Sequence, residues 1–157
     1  MNAIFERRAV REYTNEKIDE EKIQKLIDAF QAAPCALHQT EVMELSVITD
    51  PELLKKIEDN TNNSCYNAPL VFMINTKKDS QFGERDASVA AENVMVEAAD
   101  LGLASVYVMG GVIALINSLR FKKSWEWMKV TKLQYFCQLV ILLIMESLKI
   151  DQIVIRL

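Results

Sequence analysis

Three arginines fall within five positions near the start of the chain, in the stretch RRAVREY at residues 7–13. Like charges this close repel one another, and an anionic partner relieves the repulsion. A guanidinium keeps its charge and offers a planar fork of donors, which suits a phosphate. The simpler reading, ahead on spacing alone, is a solvated basic patch that pairs with Glu6 and Glu12 and contributes little to stability.

The stretch AAPCALHQTEVMELSVITD at 32–50 is the second candidate. A helix ends at a proline, a loop of small and polar residues follows, and a strand begins. Such a loop can bring backbone N–H groups and small side chains close to a flat ligand. His38 is the only histidine in the chain. A lone loop histidine is usually an ordinary polar residue, not a catalyst. Cys35 has no base beside it in sequence, so it reads as a small buried residue and not as a nucleophile. Cys35, Cys65 and Cys137 lack metal-ligand spacing, and nothing suggests a disulfide framework.

The elements that must position these residues follow from periodicity. Ile23, Leu26, Ile27 and Phe30 recur at helical spacing, with Asp19 as N-cap. Residues 44–48 alternate as in a strand. Asp50-Pro51 starts a second helix, which buries Leu53, Leu54 and Ile57. Residues 68–74 are a nearly continuous apolar run, as for a strand covered on both faces. Residues 85–101 read as an alanine-rich helix closed by Gly102, and 103–109 as another strand. Helices alternating with buried strands imply an α/β or α+β sandwich around one sheet, and the family likeness below favours α+β.

Composition excludes several classes. A chain of 157 residues, half hydrophobic and 25% charged, suits one soluble globular domain. The net charge of -4 argues against nucleic acid as a partner. The start MNAIFERRAV lacks the apolar core of a signal peptide. The longest apolar run, 139–145, is far short of the ~20 residues of a membrane span. A reducing cytoplasm is the expected location.

Four segments, in order and at the right spacing, carry a family likeness. RRAVREY resembles the RRSxRxF opening of FMN-dependent nitroreductases. APCALHQTEV resembles their APSAxNxQPW loop, and YNAPLVFMI at 66–74 their AP-plus-strand segment. RDASVAAENVMVEAADLGLASVYV at 85–108 is similar to their DxxxAxxNxxLxAxxxGLGS signature. The resemblance covers residues 1 to about 111. It implies a nitroreductase-like sandwich with a central mixed sheet flanked by helices, and a homodimer with FMN at the subunit interface. It also implies NADH or NADPH as electron donor and a nitroaromatic, quinone or similar small-molecule acceptor. By position, Arg7, Arg8 and Arg11 would hold the FMN phosphate and the polar edge of the flavin. Pro34, Cys35 and His38 would line the ring and ribityl side, and Asn63 would touch the flavin edge. No side chain need be catalytic, because the flavin carries the chemistry, and no metal is implied.

The departures are specific. Ala9 replaces a serine, His38 an asparagine, and Thr40, Glu41 and Val42 the Q-P-W triplet. Glu92 stands where glutamine is frequent, and a buried carboxylate beside a reduced, anionic flavin would be unfavourable.

After residue 111 the chain changes character. Residues 1–111 hold 11 Lys+Arg and 19 Asp+Glu, whereas residues 112–157 hold 7 and 3. All four glycines and all three prolines precede the last 46 residues, which hold both tryptophans. Such unpunctuated sequence fits one long helix or a non-native segment. Back-translation of Lys122 to Lys129, read from the third codon base, permits K-E-L-G-M-D-E-G, close to an L-G-x-P-E-G-Y segment of the family. The expected division is therefore an incomplete FMN-binding domain at 1–116 and a frameshifted, atypical tail at 117–157. The expected consequences are a lost last strand, an exposed sheet edge, an aggregation-prone run at 133–145, weak FMN binding and low activity.

Overall fold

The computed structural model of the chain describes residues 2–14, 16–77, 79–111, 113 and 139–146. The elements in order are α1 (Ala3–Glu6), α2 (Glu20–Gln31), β1 (Met43–Ile48), α3 (Pro51–Asn60), β2 (Leu70–Thr76), α4 (Gly83–Asp100), β3 (Leu103–Val108) and β4 (Leu139–Glu146). Two 3-10 turns, Ala36–His38 and Thr40–Val42, bridge α2 to β1. No described helix is long and apolar enough to cross a membrane.

Local chemistry sets the boundaries. The Asp50 carboxylate accepts from the Leu53 N–H at 2.8 Å, with Pro51 at the first helical position of α3. Asp19 occupies the N-cap of α2 without a side-chain capping bond. Gly102 follows α4 at φ +74°, the left-handed conformation that turns the chain into β3.

The four strands form one sheet in the order β1-β2-β4-β3. All three ladders are antiparallel, so the sheet is antiparallel where a mixed one is expected from the family likeness. The reason is topological. β2 and β3 run parallel to each other, joined by the crossover helix α4, but β4 lies between them and opposes both. The parallel contact among the described residues is a bridge from Ala9 to Ser105.

β2 shows why the sheet is a sandwich filling. Leu70, Phe72 and Ile74 pack with Leu26 of α2 and Ala87, Ala90, Ala91 and Val94 of α4. Val71 and Met73 point the other way, into a second cluster with Ile57, Cys65 and Val106. The period of two thus feeds two cores, and each of those five β2 side chains is fully buried. The alanines of α4 let that helix lie close to the sheet.

β4 corrects the expectation for the tail. Part of the run read as an aggregation hazard forms the strand between β2 and β3, and the sheet keeps a member that the sequence break implied was lost. A continuous apolar segment is what an interior strand of a sandwich requires. The rest of the 117–157 expectation lies outside the described residues.

Leu142 pairs with both Phe72 and Tyr107. Proline there removes a ladder donor and does not fit within a central strand. Leu142→Pro should destabilise the protein by at least ~2 kcal/mol, read from urea midpoints. An unchanged midpoint would place residues 139–146 outside the sheet.

Candidate functional site

The arginine segment is positioned from both ends. α1 packs on α4, burying Ala3, and Arg7 caps its C-terminus by donating its N–H to the Ala3 carbonyl. Two residues on, Ala9 bridges to Ser105 and the Val10 N–H donates to the Ser105 carbonyl at 3.2 Å. The segment therefore lies along the outer edge of β3, which it protects from stray pairing. Tyr13 closes the run by donating its hydroxyl to the Val10 carbonyl at 2.6 Å.

The three guanidiniums behave differently. Arg7 is half-buried, and its Nε lies 3.3 Å from Glu92 Oε1 of α4. Arg8 is exposed and donates from Nη1 to the carbonyls of Phe5 and Arg7, at 2.6 and 3.0 Å. Arg11 is exposed. Arg7 thus finds its carboxylate across the fold, where local pairing with Glu6 and Glu12 was the simpler sequence reading. Glu92 is also not the buried carboxylate expected: its side chain is 53% exposed.

The proline loop is held by the same helix. Asp86, in the first turn of α4 and 7% exposed, accepts from the Ala36 N–H at 3.1 Å. Pro34 and His38 are exposed and Cys35 is half-buried with a free thiol. Leu37 and His38 sit at φ 56° and 55°, the left-handed region that favours glycine. Two such residues in succession store strain, which the Asp86 contact helps to hold. Asp86 and Glu92 are six residues apart, about 9 Å of helix rise. One helix therefore carries the anchor of the arginine segment and the anchor of the proline loop.

Asn63 belongs elsewhere. It lies exposed in the loop 61–69 after α3, at φ 58°, with Asn62, Tyr66 and Asn67 also at positive φ. The buried Glu58 carboxylate organises that loop by accepting from the Cys65 and Asn67 N–H groups at 2.9 and 3.4 Å. A cleft of about 440 Å³ is lined there by Lys17, Lys55, Glu58, Asn63 and Asn67 among others. None of Arg7, Arg8, Arg11, Pro34, Cys35 or His38 lines it. The seven residues expected to meet one ligand are thus divided within a single chain between the α4 surface and the α3 loop.

Sequence reasoning missed Asp86, Glu58 and the Arg7–Glu92 contact. An acidic residue in the first turn of a helix is a weak signal, because the helix dipole already favours it there.

Similarity to known proteins bears on this geometry. Residues 4–65 match the model of the Nitroreductase family. The likeness to that family thus lies in α1, α2, β1, α3 and the segments that join them. A "Putative NADH dehydrogenase/NAD(P)H nitroreductase" of Methanothermobacter thermautotrophicus is 28% identical over 113 residues, 68% of this chain and 59% of that protein. A protein of the same name from Archaeoglobus fulgidus is 28% identical over 115 residues, 69% of this chain and 66% of that protein. The match thus spans under two thirds of either relative's length. The nitroreductase fold extends further along the chain. An FMN-bound nitroreductase of Bacteroides fragilis superposes with TM-score 0.82 at 14% identity, covering 99% of this chain and 91% of that one. The sandwich described above is therefore the nitroreductase fold, as the sequence resemblance implied.

Two titrating groups meet at the second core cluster, which contains Cys65 and against which Tyr13 packs. Burial pushes the Cys65 thiol up from 9.0 to about 12, with Glu58 adding to the rise and the Thr61 hydroxyl, 3.7 Å from Sγ, opposing it. Burial, with Tyr66 alongside, also raises the Tyr13 phenol above its usual 10.0. Above about pH 9 the unfolded chain releases the Cys65 proton while the native chain keeps it. Stability conferred by the neutral thiol is complete below pH 9 and is lost as pH rises towards 12, at about 1.4 kcal/mol per unit. Cys65→Ala should flatten the fall of the urea midpoint between pH 9 and 10, before Tyr13 contributes; an unchanged slope would assign alkaline unfolding to another group. Asp86→Ala should lower stability by about 1–3 kcal/mol, because it strands the Ala36 N–H. A thermal melt indistinguishable from the parent would show that the loop needs no anchor.

Proposed function

We propose that the chain is a flavin-dependent oxidoreductase of the nitroreductase type, acting as a homodimer in the cytoplasm. It would take FMN and use NADH or NADPH to reduce a nitroaromatic, quinone or similar acceptor. The observation that carries this reading is the joint anchoring of the arginine segment and the proline loop on α4. Three guanidiniums within five residues, with Arg8 and Arg11 exposed, fit a phosphate group in charge and access. In this reading Arg7, Arg8 and Arg11 hold the phosphate and the polar flavin edge. Pro34, Cys35 and His38 lie along the ring and ribityl chain, and the Asp86 anchor keeps that loop in register. Bound FMN supplies hydride transfer, and the chain contributes binding and orientation.

The dimer reading is supported by apolar surface. Ile4 and Phe5 of α1 and Val89 of α4 are 67%, 73% and 43% exposed, and α1 packs on α4. A second copy would cover them, and it could bring Asn63 and the proline loop to one ligand from different subunits.

A second reading is a non-catalytic remnant with weak or no FMN binding. The change of composition after residue 111 favours it. A frameshifted tail at 117–157 would lack groups that complete the cofactor shell, although the strand Leu139–Glu146 still seats in the sheet.

Titration of FMN fluorescence with the purified chain separates the readings. Under the enzyme reading FMN is quenched, and Arg7→Ala and Arg11→Ala each weaken it by about 10- to 100-fold, as loss of a charge-assisted contact does. Riboflavin, which keeps the polar flavin edge but lacks the phosphate, should lose less than FMN with each substitution. Absence of quenching in the parent chain, or equal losses for both flavins, would overturn the assignment of the phosphate site.

A further inference from the structure

Resting on that reading, we propose that Glu92 is a positioning residue that sets the strength of the phosphate site by taking part of the charge of Arg7. One carboxylate oxygen lies 3.3 Å from Nε, an ion pair at the side of the guanidinium, while the two Nη nitrogens form the fork that grips phosphate. Glu92 therefore does two opposed things. It orients the guanidinium, and it places a negative charge beside any anion that Arg7 receives.

Exposure decides which effect is larger. The side chains of Arg7 and Glu92 are 31% and 53% exposed, and pairs this wet hold each other weakly. A neutral amide of the same shape keeps the packing beside Arg7 without the charge. Repulsion needs the charge itself, and a phosphate monoester carries about -1.5 to -2 near neutrality. The net effect of Glu92 is to weaken phosphate binding at Arg7 and to lower the preference for FMN over riboflavin. The helix makes this a fixed feature, because α4 holds Glu92 and, through α1, the start of the arginine segment.

The test is a titration of FMN and of riboflavin against the parent chain, Glu92→Gln, Arg7→Ala and the double variant. Glu92→Gln should bind FMN about three- to tenfold more tightly at low salt, with riboflavin unchanged. The gain should fade at about 1 M salt, where the screening length is about 3 Å. It should be smaller in the Arg7→Ala background, where the part that acts through that guanidinium is gone and only direct repulsion remains. A structural role alone would shift both flavins together and would not depend on salt. Unchanged or weaker FMN binding by Glu92→Gln, with the parent chain binding FMN, overturns the inference and leaves the cofactor reading standing. No binding of either flavin by any form, with melting curves like the parent's, overturns the cofactor reading and the inference with it.

Discussion

Two parallel strands held apart by a third govern this molecule. β2 and β3 point the same way and are linked by α4, yet neither can complete its hydrogen bonds against the other across the gap. β4 fills that gap in antiparallel register, pairing with β2 over residues 139–144 and with β3 over residues 141–146. Unpaired backbone groups in a buried sheet are costly, so the position of β3 depends on this one insertion. Everything that leans on β3 inherits the dependence. The arginine segment is aligned by its contacts to Ser105, and Tyr107 of β3 lies 3.3 Å from the Ser88 hydroxyl of α4.

α4 converts that sheet into a platform for chemistry. Its inner face is alanine and valine, which brings the helix near β2. Its first turn presents Asp86 to the proline loop, and its middle presents Glu92 to Arg7. The two candidate halves of a flavin site are thereby referred to one rigid body. The cationic half is held through α1 and the edge of β3, and the loop half has a strained backbone that is held by a carboxylate.

Much of this was legible in sequence because it depends on short-range rules. Asp50-Pro51 marks a helix start by capping chemistry, and residues 68–74 announce an interior strand by their unbroken apolar character. The likeness to nitroreductases read from four segments agrees with the family match at residues 4–65 and with the shared fold. The placement of residues 139–146 was not legible. An apolar run without turn residues reads the same whether it aggregates or fills a sheet, and only the vacancy between β2 and β3 distinguishes the two. The Arg7–Glu92 contact was hidden for a similar reason. It joins groups far apart in the chain, and local charge counting assigns each arginine to its sequence neighbours. The separation of Asn63 from the other six candidates is also a matter of topology, because the loop after α3 and the loop after α2 leave the sandwich at different places.

Hydrogen exchange of the native chain, resolved to single amides, tests the central claim directly. A strand paired on both sides should hold its amides at the protection set by global unfolding, so residues 141–144, which pair with both β2 and β3, should exchange among the slowest in the protein, together with 70–76. Exchange of 139–146 at the rate of unstructured peptide, with 70–76 still protected, would contradict the account.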